Sequence, residues 1–290
     1  MKKQHSYTKR LLLLSGVAAI MVTSCFFIPP KDDAETIKTE IEYDENGNEI
    51  VIKDGMRCIW HDEFDYNGVP DTNKWKYQTG AGGWGNEELQ YYTDNTSTAD
   101  TAIVNNGILT IKAYNDGSGW KSARMNSKES WKYGYIEARL KVTDRAGAWP
   151  AFWMMPQDSV YGGWPASGEI DIMENAPGRC GDHRVFSTLH AAGHNSGDGA
   201  GIGASVYDAN LSSEWHTFGV KWTENRITAY YDDVAVGYYD NNGTTRDWPY
   251  DQNFYIIMNL AIGGNLGNTD RVYELNGQAE FLVDYVRVYQ

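Results

Sequence analysis

The chain has 290 residues and a formal net charge of −14, which disfavours nucleic acids and anionic membrane surfaces as partners because like charges repel. An uncharged ligand suits this charge better, although acidity can also simply keep a secreted protein soluble. Eleven Trp, twenty Tyr and thirty Gly against eight Pro favour strands and turns over helices. We therefore expect one all-β domain, since sandwiches of this size commonly stay undivided.

The first 24 residues have the organisation of a secretory signal peptide. An apolar stretch at 11–21 is too short to span a bilayer and small residues follow it. The basic start that such peptides need is supplied by Lys2, Lys3, Lys9 and Arg10. The segment is expected to be removed and to direct the protein out of the cytoplasm.

The residues around Cys25 refine this prediction. Val22-Thr23-Ser24-Cys25 resembles the lipobox of bacterial lipoproteins, which predicts lipidation of Cys25; an ordinary cleavage site with a chance cysteine is the alternative. The acidic tract Lys31-Asp32-Asp33 resembles a surface-export signal. We therefore expect a monomer that contacts the membrane only through its lipid and sits in the outer membrane facing the exterior.

Residues 25–56 are predicted to link the lipid to a domain at 57–290. Charged and apolar residues alternate from Glu35 to Gly55 around Asn46-Gly47, which favours either a small hairpin or a partly ordered tether.

From residue 57 onward, short alternating or apolar runs recur between turn residues. This series predicts a two-sheet antiparallel β-sandwich or jelly roll. The clearest runs are 102–104, 108–113, 135–142, 186–190, 215–222, 227–231, 254–261 and 281–289.

The run GEIDIMEN at 168–175 carries three carboxylates in one predicted strand. Side chains alternate along a strand, so Glu169 and Asp171 point the same way and Glu174 points the opposite way. One extra residue, a β-bulge at Ile172-Met173, would return Glu174 to the face of Glu169. The two glutamates could then approach the roughly 5 Å separation of retaining glycosidases, and a central Asp171 would raise the pKa of the residue that stays protonated. An exposed acidic edge or a calcium site is the alternative.

GEIDIMEN and its neighbouring motifs resemble glycoside hydrolase family 16, in the laminarinase-like form with a bulged ExDxxE signature. The resemblance covers about residue 57 to the end. The matching motifs include WHDEFD at 60–65, GGWGNEELQYYT at 82–93, SARMNS at 122–127, YGYIEARLKV at 133–142, AWPAFWMMP at 148–156, STLH at 187–190, WHTFGVKW at 215–222, MNLAIGGNLG at 258–267 and FLVDYVRVYQ at 281–290.

The resemblance implies a concanavalin-like jelly roll with a concave cleft and an endo-β-1,3(4)-glucanase activity on a neutral β-glucan. By position, Glu169 resembles the nucleophile, Asp171 the assisting carboxylate and Glu174 the general acid/base. The alternative is a non-catalytic surface β-glucan-binding lipoprotein on the same fold.

Aromatic platforms with polar neighbours are what a glucan cleft needs, because pyranose faces are apolar. Core packing is the competing interpretation for any single Trp, and Trp248, in a loop, is a further candidate platform. The predicted sugar-contacting residues, several of them by resemblance, are Trp84, Asn86, Arg124, Trp149, Trp153, Trp164 and His190.

No cofactor is expected for catalysis. By resemblance, a structural Ca²⁺ is expected at Glu63, Gly107 and Asp284, with ordinary ion pairing as the alternative. The irregular spacing of His183, His190 and His194 disfavours zinc. The glycine run at 197–203 is interpreted as a flexible rim loop.

Overall fold

The computed structural model describes residues 35–94, 101–195 and 202–290. The predicted signal peptide, Cys25 and most of the glycine run at 197–203 lie outside these ranges. Within them, every helix is too short or too polar to cross a membrane.

Strands dominate the described part of the chain, and they follow one another in the short runs that the sequence predicts. In chain order they are β1 (Thr39–Tyr43), β2 (Glu49–Lys53), β3 (Met56–Asp62), β4 (Trp75–Tyr77), β5 (Gln90–Tyr92), β6 (Ala102–Asn105), β7 (Ile108–Asn115), β8 (Trp120–Ser122), β9 (Arg124–Ser127), β10 (Gly134–Lys141), β11 (Ala148–Pro156), β12 (Glu169–Asn175), β13 (Arg184–His190), β14 (Ile202–Tyr207), β15 (His216–Trp222), β16 (Arg226–Tyr231), β17 (Val234–Asp240), β18 (Phe254–Ile262) and β19 (Gln278–Tyr289).

Two sheets pack face to face around one large core. The seven-stranded sheet has the order β14-β13-β12-β11-β18-β9-β4, and the twelve-stranded sheet contains the path β1-β2-β3-β19-β10-β15-β16-β17. Among the described strands, every pair is antiparallel except β5 with β8. Alternate apolar residues of both sheets fill the core, for example Ile136 and Val286 from one sheet and Met154 and Met258 from the other. The predicted all-β jelly roll is confirmed.

The described helices are single turns or little more, and they occupy loops at strand ends. They are a 3₁₀ turn at Gly83–Gly85, α1 at Pro177–Cys180, α2 at Gly264–Gly267 and a 3₁₀ helix at Thr269–Leu275.

Residues 35–56 form an N-terminal strap. Its strands β1 and β2 extend the twelve-stranded sheet beyond β3, and Ile37, which precedes β1, packs on the outer face of that sheet. Ile37 is 5% exposed and joins Tyr135 and Tyr230 in a small cluster separate from the main core. Its backbone N–H donates to the carbonyl of Asp233 at 2.9 Å. Of the two predicted alternatives, the hairpin is what the structure has, and it belongs to the folded domain.

A buried ion pair fastens the strap to the sheet. Lys53 Nζ lies 3.5 Å from Glu137 Oε2 and 3.0 Å from Asp233 Oδ1. Glu137 is fully buried on β10 and accepts a hydrogen bond from the Tyr289 hydroxyl at 3.0 Å. Removing the lysine would leave a buried carboxylate without its cation, which is far more costly than breaking an exposed pair.

We expect Lys53→Met to lower the free energy of unfolding by about 3 kcal/mol, roughly 6–12 °C in melting temperature for a domain of this size. The control is Arg226→Met, because the Arg226–Asp240 pair is largely exposed and contributes less than about 1 kcal/mol. Equal melting temperatures for the two variants would contradict a structural role for the strap.

Candidate active site

A β-bulge in β12 brings the three predicted catalytic carboxylates together. The register of β12 against β13 shifts between Asp171 and Glu174. Ile172 and Met173, although consecutive, both enter the main core. The alternation therefore restarts after them, and Glu174 returns to the face that carries Glu169. The predicted bulge is confirmed.

The same face of the seven-stranded sheet collects polar and aromatic residues from neighbouring strands. Their chain neighbours, such as Met125, Phe152 and Leu189, point into the core, so strand alternation sends the polar partners outward. We call this surface the cleft face. Its members include Arg124 on β9, Trp153 on β11, Glu169 and Asp171 on β12, His190 on β13 and Asn259 on β18.

Each carboxylate of the trio has its own fixed partner. Trp164 Nε1 donates to Glu169 Oε2 at 2.6 Å, and Trp149 Nε1 donates to Glu174 Oε1 at 2.9 Å. Asp171 also bonds to Glu169. These hydrogen bonds hold the side chains in place before any substrate arrives, which is a requirement for efficient catalysis.

His190 contacts the carboxylate in the middle of the cluster. Its Nε2 lies 2.9 Å from Asp171 Oδ2, and both side chains are almost completely buried. The predicted sugar contact of His190 therefore competes with this contact to Asp171. Calcium takes oxygen ligands, whereas His190 offers a nitrogen. This argues against the alternative of a calcium site at the three carboxylates.

Burial raises the pKa of all three carboxyls, because their charged forms lose water. It raises the pKa of Glu169 to about 8, with the charge of Asp171 adding to the effect, and the pKa of Asp171 to about 7. Burial and then Asp171 raise the pKa of Glu174 well above its usual value. Glu174 is thus the group that best keeps its proton, whereas Glu169 is only half-buried. An indole N–H and His190 favour the ionised form of both glutamates, so burial is what separates them.

A sandwich of two tryptophans around one guanidinium forms the next part of the cleft face. The Arg124 guanidinium carbon lies 4.9 Å from the Trp84 ring centre and 4.7 Å from the Trp153 ring centre. Trp153 Nε1 donates to Asn259 Oδ1 at 2.7 Å, and the Trp84 ring contacts that of Tyr92. The structure thus brings together three of the predicted sugar-contacting residues. Asn86, a fourth, lies in the same loop as Trp84 and reaches the Glu88 carboxylate.

Trp164 is the most open aromatic residue beside the carboxylates. Its side chain is 51% exposed, and its ring centre lies 6.0 Å from that of His190. An exposed ring whose N–H is fixed to Glu169 suits contact with a sugar next to the reacting bond.

Two other tryptophans that were predicted as sugar platforms are buried. Trp149 is only 9% exposed, because its ring packs with Ala176 and Ala261 under the short helices; its role is to hold Glu174. Trp248 is 3% exposed and belongs to the main core. Neither ring offers a face to a sugar.

The two carboxylates predicted to bind calcium already have partners. Arg287 binds both carboxylate oxygens of Glu63 at 2.7–2.8 Å, and Arg139 donates to Asp284 at 2.6 Å. Gly107 lies in the tight turn between β6 and β7. Each carboxylate has a guanidinium partner, as the ion-pair alternative predicts. Calcium there stays a prediction.

The three histidines of the zinc argument have different partners, and His190 lies with Glu169 and Asp171. His194 directs its two ring nitrogens to the carbonyls of Leu189 and Asp247, and His183 pairs with Asp144. Cys58 and Cys180, for their part, are not joined by a disulfide.

Sequence reasoning missed three buried polar residues at this site: Asn259 on the cleft face, and Glu88 and Tyr92, which support it. All three lie in matched motifs, GGWGNEELQYYT and MNLAIGGNLG, yet they are buried. A polar residue inside an otherwise apolar strand, such as Asn259 in β18, is the signal that could have identified one of them.

Comparison with known proteins agrees with this geometry. Residues 89–287 match the family model for glycosyl hydrolases family 16. A beta-glucanase of Rhodothermus marinus is 39% identical over 245 residues, 80% of this chain and 84% of the relative. A glucan endo-1,3-beta-glucosidase of Cryptopygus antarcticus is 40% identical over 253 residues, 79% of this chain and 90% of the relative. The X-ray structure of the Rhodothermus marinus laminarinase superposes with a TM-score of 0.73 at 37% identity, covering 81% of this chain and 97% of that one.

We expect Asp171→Asn to move both limbs of the pH profile of kcat/KM to lower pH. The charge of Asp171 raises the pKa of Glu169 and of Glu174, so its removal lets both ionise at lower pH. Asp233→Asn, on the opposite side of the molecule, should leave the limbs in place. An unchanged alkaline limb in Asp171→Asn would refute the electrostatic role given to this residue.

Proposed function

Because the chain belongs to glycosyl hydrolases family 16, we propose that it cleaves internal bonds of β-1,3-glucans or mixed-linkage β-1,3/1,4-glucans with retention of configuration. The observation that carries the proposal is the bulge that puts Glu169 and Glu174 on one face with Asp171 between them. The printed functions of the relatives, a beta-glucanase and a glucan endo-1,3-beta-glucosidase, support the substrate class.

In the proposed mechanism, the Glu169 carboxylate attacks the anomeric carbon while Glu174 gives its proton to the leaving oxygen. A covalent glycosyl-enzyme forms and the leaving chain departs. Glu174, now ionised, takes a proton from a water molecule that attacks the same carbon and frees Glu169. The N–H groups of Trp164 and Trp149 hold the two carboxyls in position throughout.

The cleft face suits a neutral polysaccharide. Trp164 and the Trp84–Arg124–Trp153 sandwich supply apolar ring faces and hydrogen-bond donors side by side, as sugar binding requires. The formal charge of −14 would repel an anionic polymer but leaves an uncharged glucan unaffected.

A non-catalytic glucan-binding protein is the competing function. Such a protein could hold sugar with Trp164, Trp153 and Arg124 alone. Three clustered carboxyls with raised pKa values destabilise a fold, and a binder gains nothing from them. Their presence therefore favours hydrolysis.

We expect Glu169→Gln to abolish release of reducing ends from laminarin and barley β-glucan, because a carboxamide cannot form the glycosyl-enzyme. Glu174→Gln should lower kcat by about 10²–10⁴-fold, the usual contribution of a general acid. Binding of laminarin oligosaccharides, measured by calorimetry, should survive in both variants. Substantial hydrolysis by Glu169→Gln would exclude the assignment.

Glu169→Gln also tests the raised pKa of Glu169, through the pH dependence of the melting temperature. The raised pKa of Glu169 means that the folded protein prefers the protonated carboxyl, so its stability contribution is complete below the ordinary pKa and is lost as pH rises toward about 8. Glutamine does not titrate. The melting temperature of Glu169→Gln should therefore exceed that of the parent at pH 8 by more than it does at pH 5.

For localisation we propose attachment to the outer membrane through a lipid on Cys25, with the enzyme facing the exterior. The lipobox-like Val22-Thr23-Ser24-Cys25 and the Lys31-Asp32-Asp33 tract support this. Labelled palmitate should enter the parent and not Cys25→Ser. Protease added to intact cells should degrade the parent; protection in intact cells together with degradation in lysed cells would refute exposure at the surface.

A further inference from the structure

We propose that Glu88 is a positioning residue that fixes the sugar-binding part of the cleft from below, through Asn86 and through a hydrogen-bond relay that ends at Trp153. The inference rests on the proposed function, because it assigns a role within the glucan cleft. Glu88 is 8% exposed, so it acts through other residues.

The relay consists of three hydrogen bonds that run in one direction. Trp153 Nε1 donates to Asn259 Oδ1 at 2.7 Å, and Asn259 Nδ2 donates to the Tyr92 hydroxyl oxygen at 3.1 Å. The Tyr92 hydroxyl in turn donates to Glu88 Oε2 at 2.9 Å. The orientation of the indole therefore depends, bond by bond, on an acceptor at position 88.

Glu88 is also the meeting point of other donors. Gln90 Nε2 donates to the same carboxylate at 2.6 Å, and the Asn86 side chain bonds to it as well. A carboxylate offers acceptors only, and here each neighbouring group is a donor. Burial raises the pKa of Glu88, and its hydrogen-bond donors together with the Arg124 guanidinium oppose that shift.

Backbone contacts keep Glu88 in this position. The Leu89 N–H donates to the Ile262 carbonyl at 2.9 Å, and the Ile262 N–H donates to Gln90 Oε1 at 2.7 Å. The loop that contains Trp84 and Asn86 is thus fastened to the end of β18. A rigid support below a binding surface reduces the entropy that ligand binding must overcome.

Glu88→Gln is the direct test. Glutamine keeps the size of the side chain but turns one acceptor into a donor that faces other donors. We expect the KM for laminarin to rise about tenfold, the effect of leaving one buried hydrogen-bond donor without its acceptor, with kcat within about twofold of the parent. In a Glu169→Gln background, the Kd for laminarihexaose should rise by the same factor.

Glu137→Gln is the matched control, because Glu137 is also a buried carboxylate that accepts a tyrosine hydroxyl, but on the outer face of the other sheet. It should lower the melting temperature and leave KM unchanged. Should Glu88→Gln lower only the melting temperature, as this control does, the proposed role would be wrong.

Tyr92→Phe covers the case in which Glu88→Gln does not fold. It removes one hydroxyl from the relay and keeps the ring that contacts Trp84. We expect a similar rise in KM. In the double variant Glu88→Gln/Tyr92→Phe, the rise in KM should be smaller than the product of the two single rises, because residues in one network are coupled. An unchanged KM in Tyr92→Phe would overturn the relay.

The indole N–H resonance of Trp153 in the NMR spectrum, assigned by its loss in Trp153→Phe, reports on the relay in the absence of substrate. We expect it to shift and to exchange faster in Glu88→Gln and in Tyr92→Phe. If the parent protein neither binds nor hydrolyses laminarin but this resonance shifts in the two variants, the proposed function would be refuted and the relay would stand. A resonance that stays the same in both variants would refute the relay itself.

Discussion

The β-bulge in β12 is the constraint from which the active site follows. Strand alternation alone would place Glu174 in the core, where an unpaired carboxyl is prohibitively costly. Ile172 and Met173 fill that space together, and the chain regains the cleft face one residue later. Because both residues are fully packed, the core holds the bulge in place, and the core in turn fixes the relative position of the two glutamates.

This arrangement puts three acidic groups where their charges repel and water is scarce. The molecule offsets the cost locally: His190 accompanies Asp171, and an indole N–H accompanies each glutamate. The compensation is unequal, since Glu174 is the more buried and Glu169 the more open to the cleft. That difference in burial separates a proton donor from a nucleophile of identical chemistry.

The sequence was sufficient wherever a feature depends on chain-local periodicity. Alternation predicted the strands, and the spacing of Glu169, Asp171 and Glu174 required a bulge at one place. It was insufficient where distant segments decide burial. Trp149 looks like a platform until α1 and α2 cover it, and Trp248 sits in a loop segment yet belongs to the core. Lys53, in a charged stretch, gave no sign that it would meet Glu137 across the sheet.

Buried carboxylates in this protein acquire their roles from the donors around them. Glu88 and Glu137 are both nearly or fully buried, and each accepts a tyrosine hydroxyl. Burial raises the pKa of both, so burial and protonation do not distinguish them. Glu137 holds the N-terminal strap through Lys53, whereas the donors of Glu88 lead to Asn86 and Trp153. The same group thus stabilises the fold on one side of the molecule and shapes a binding surface on the other.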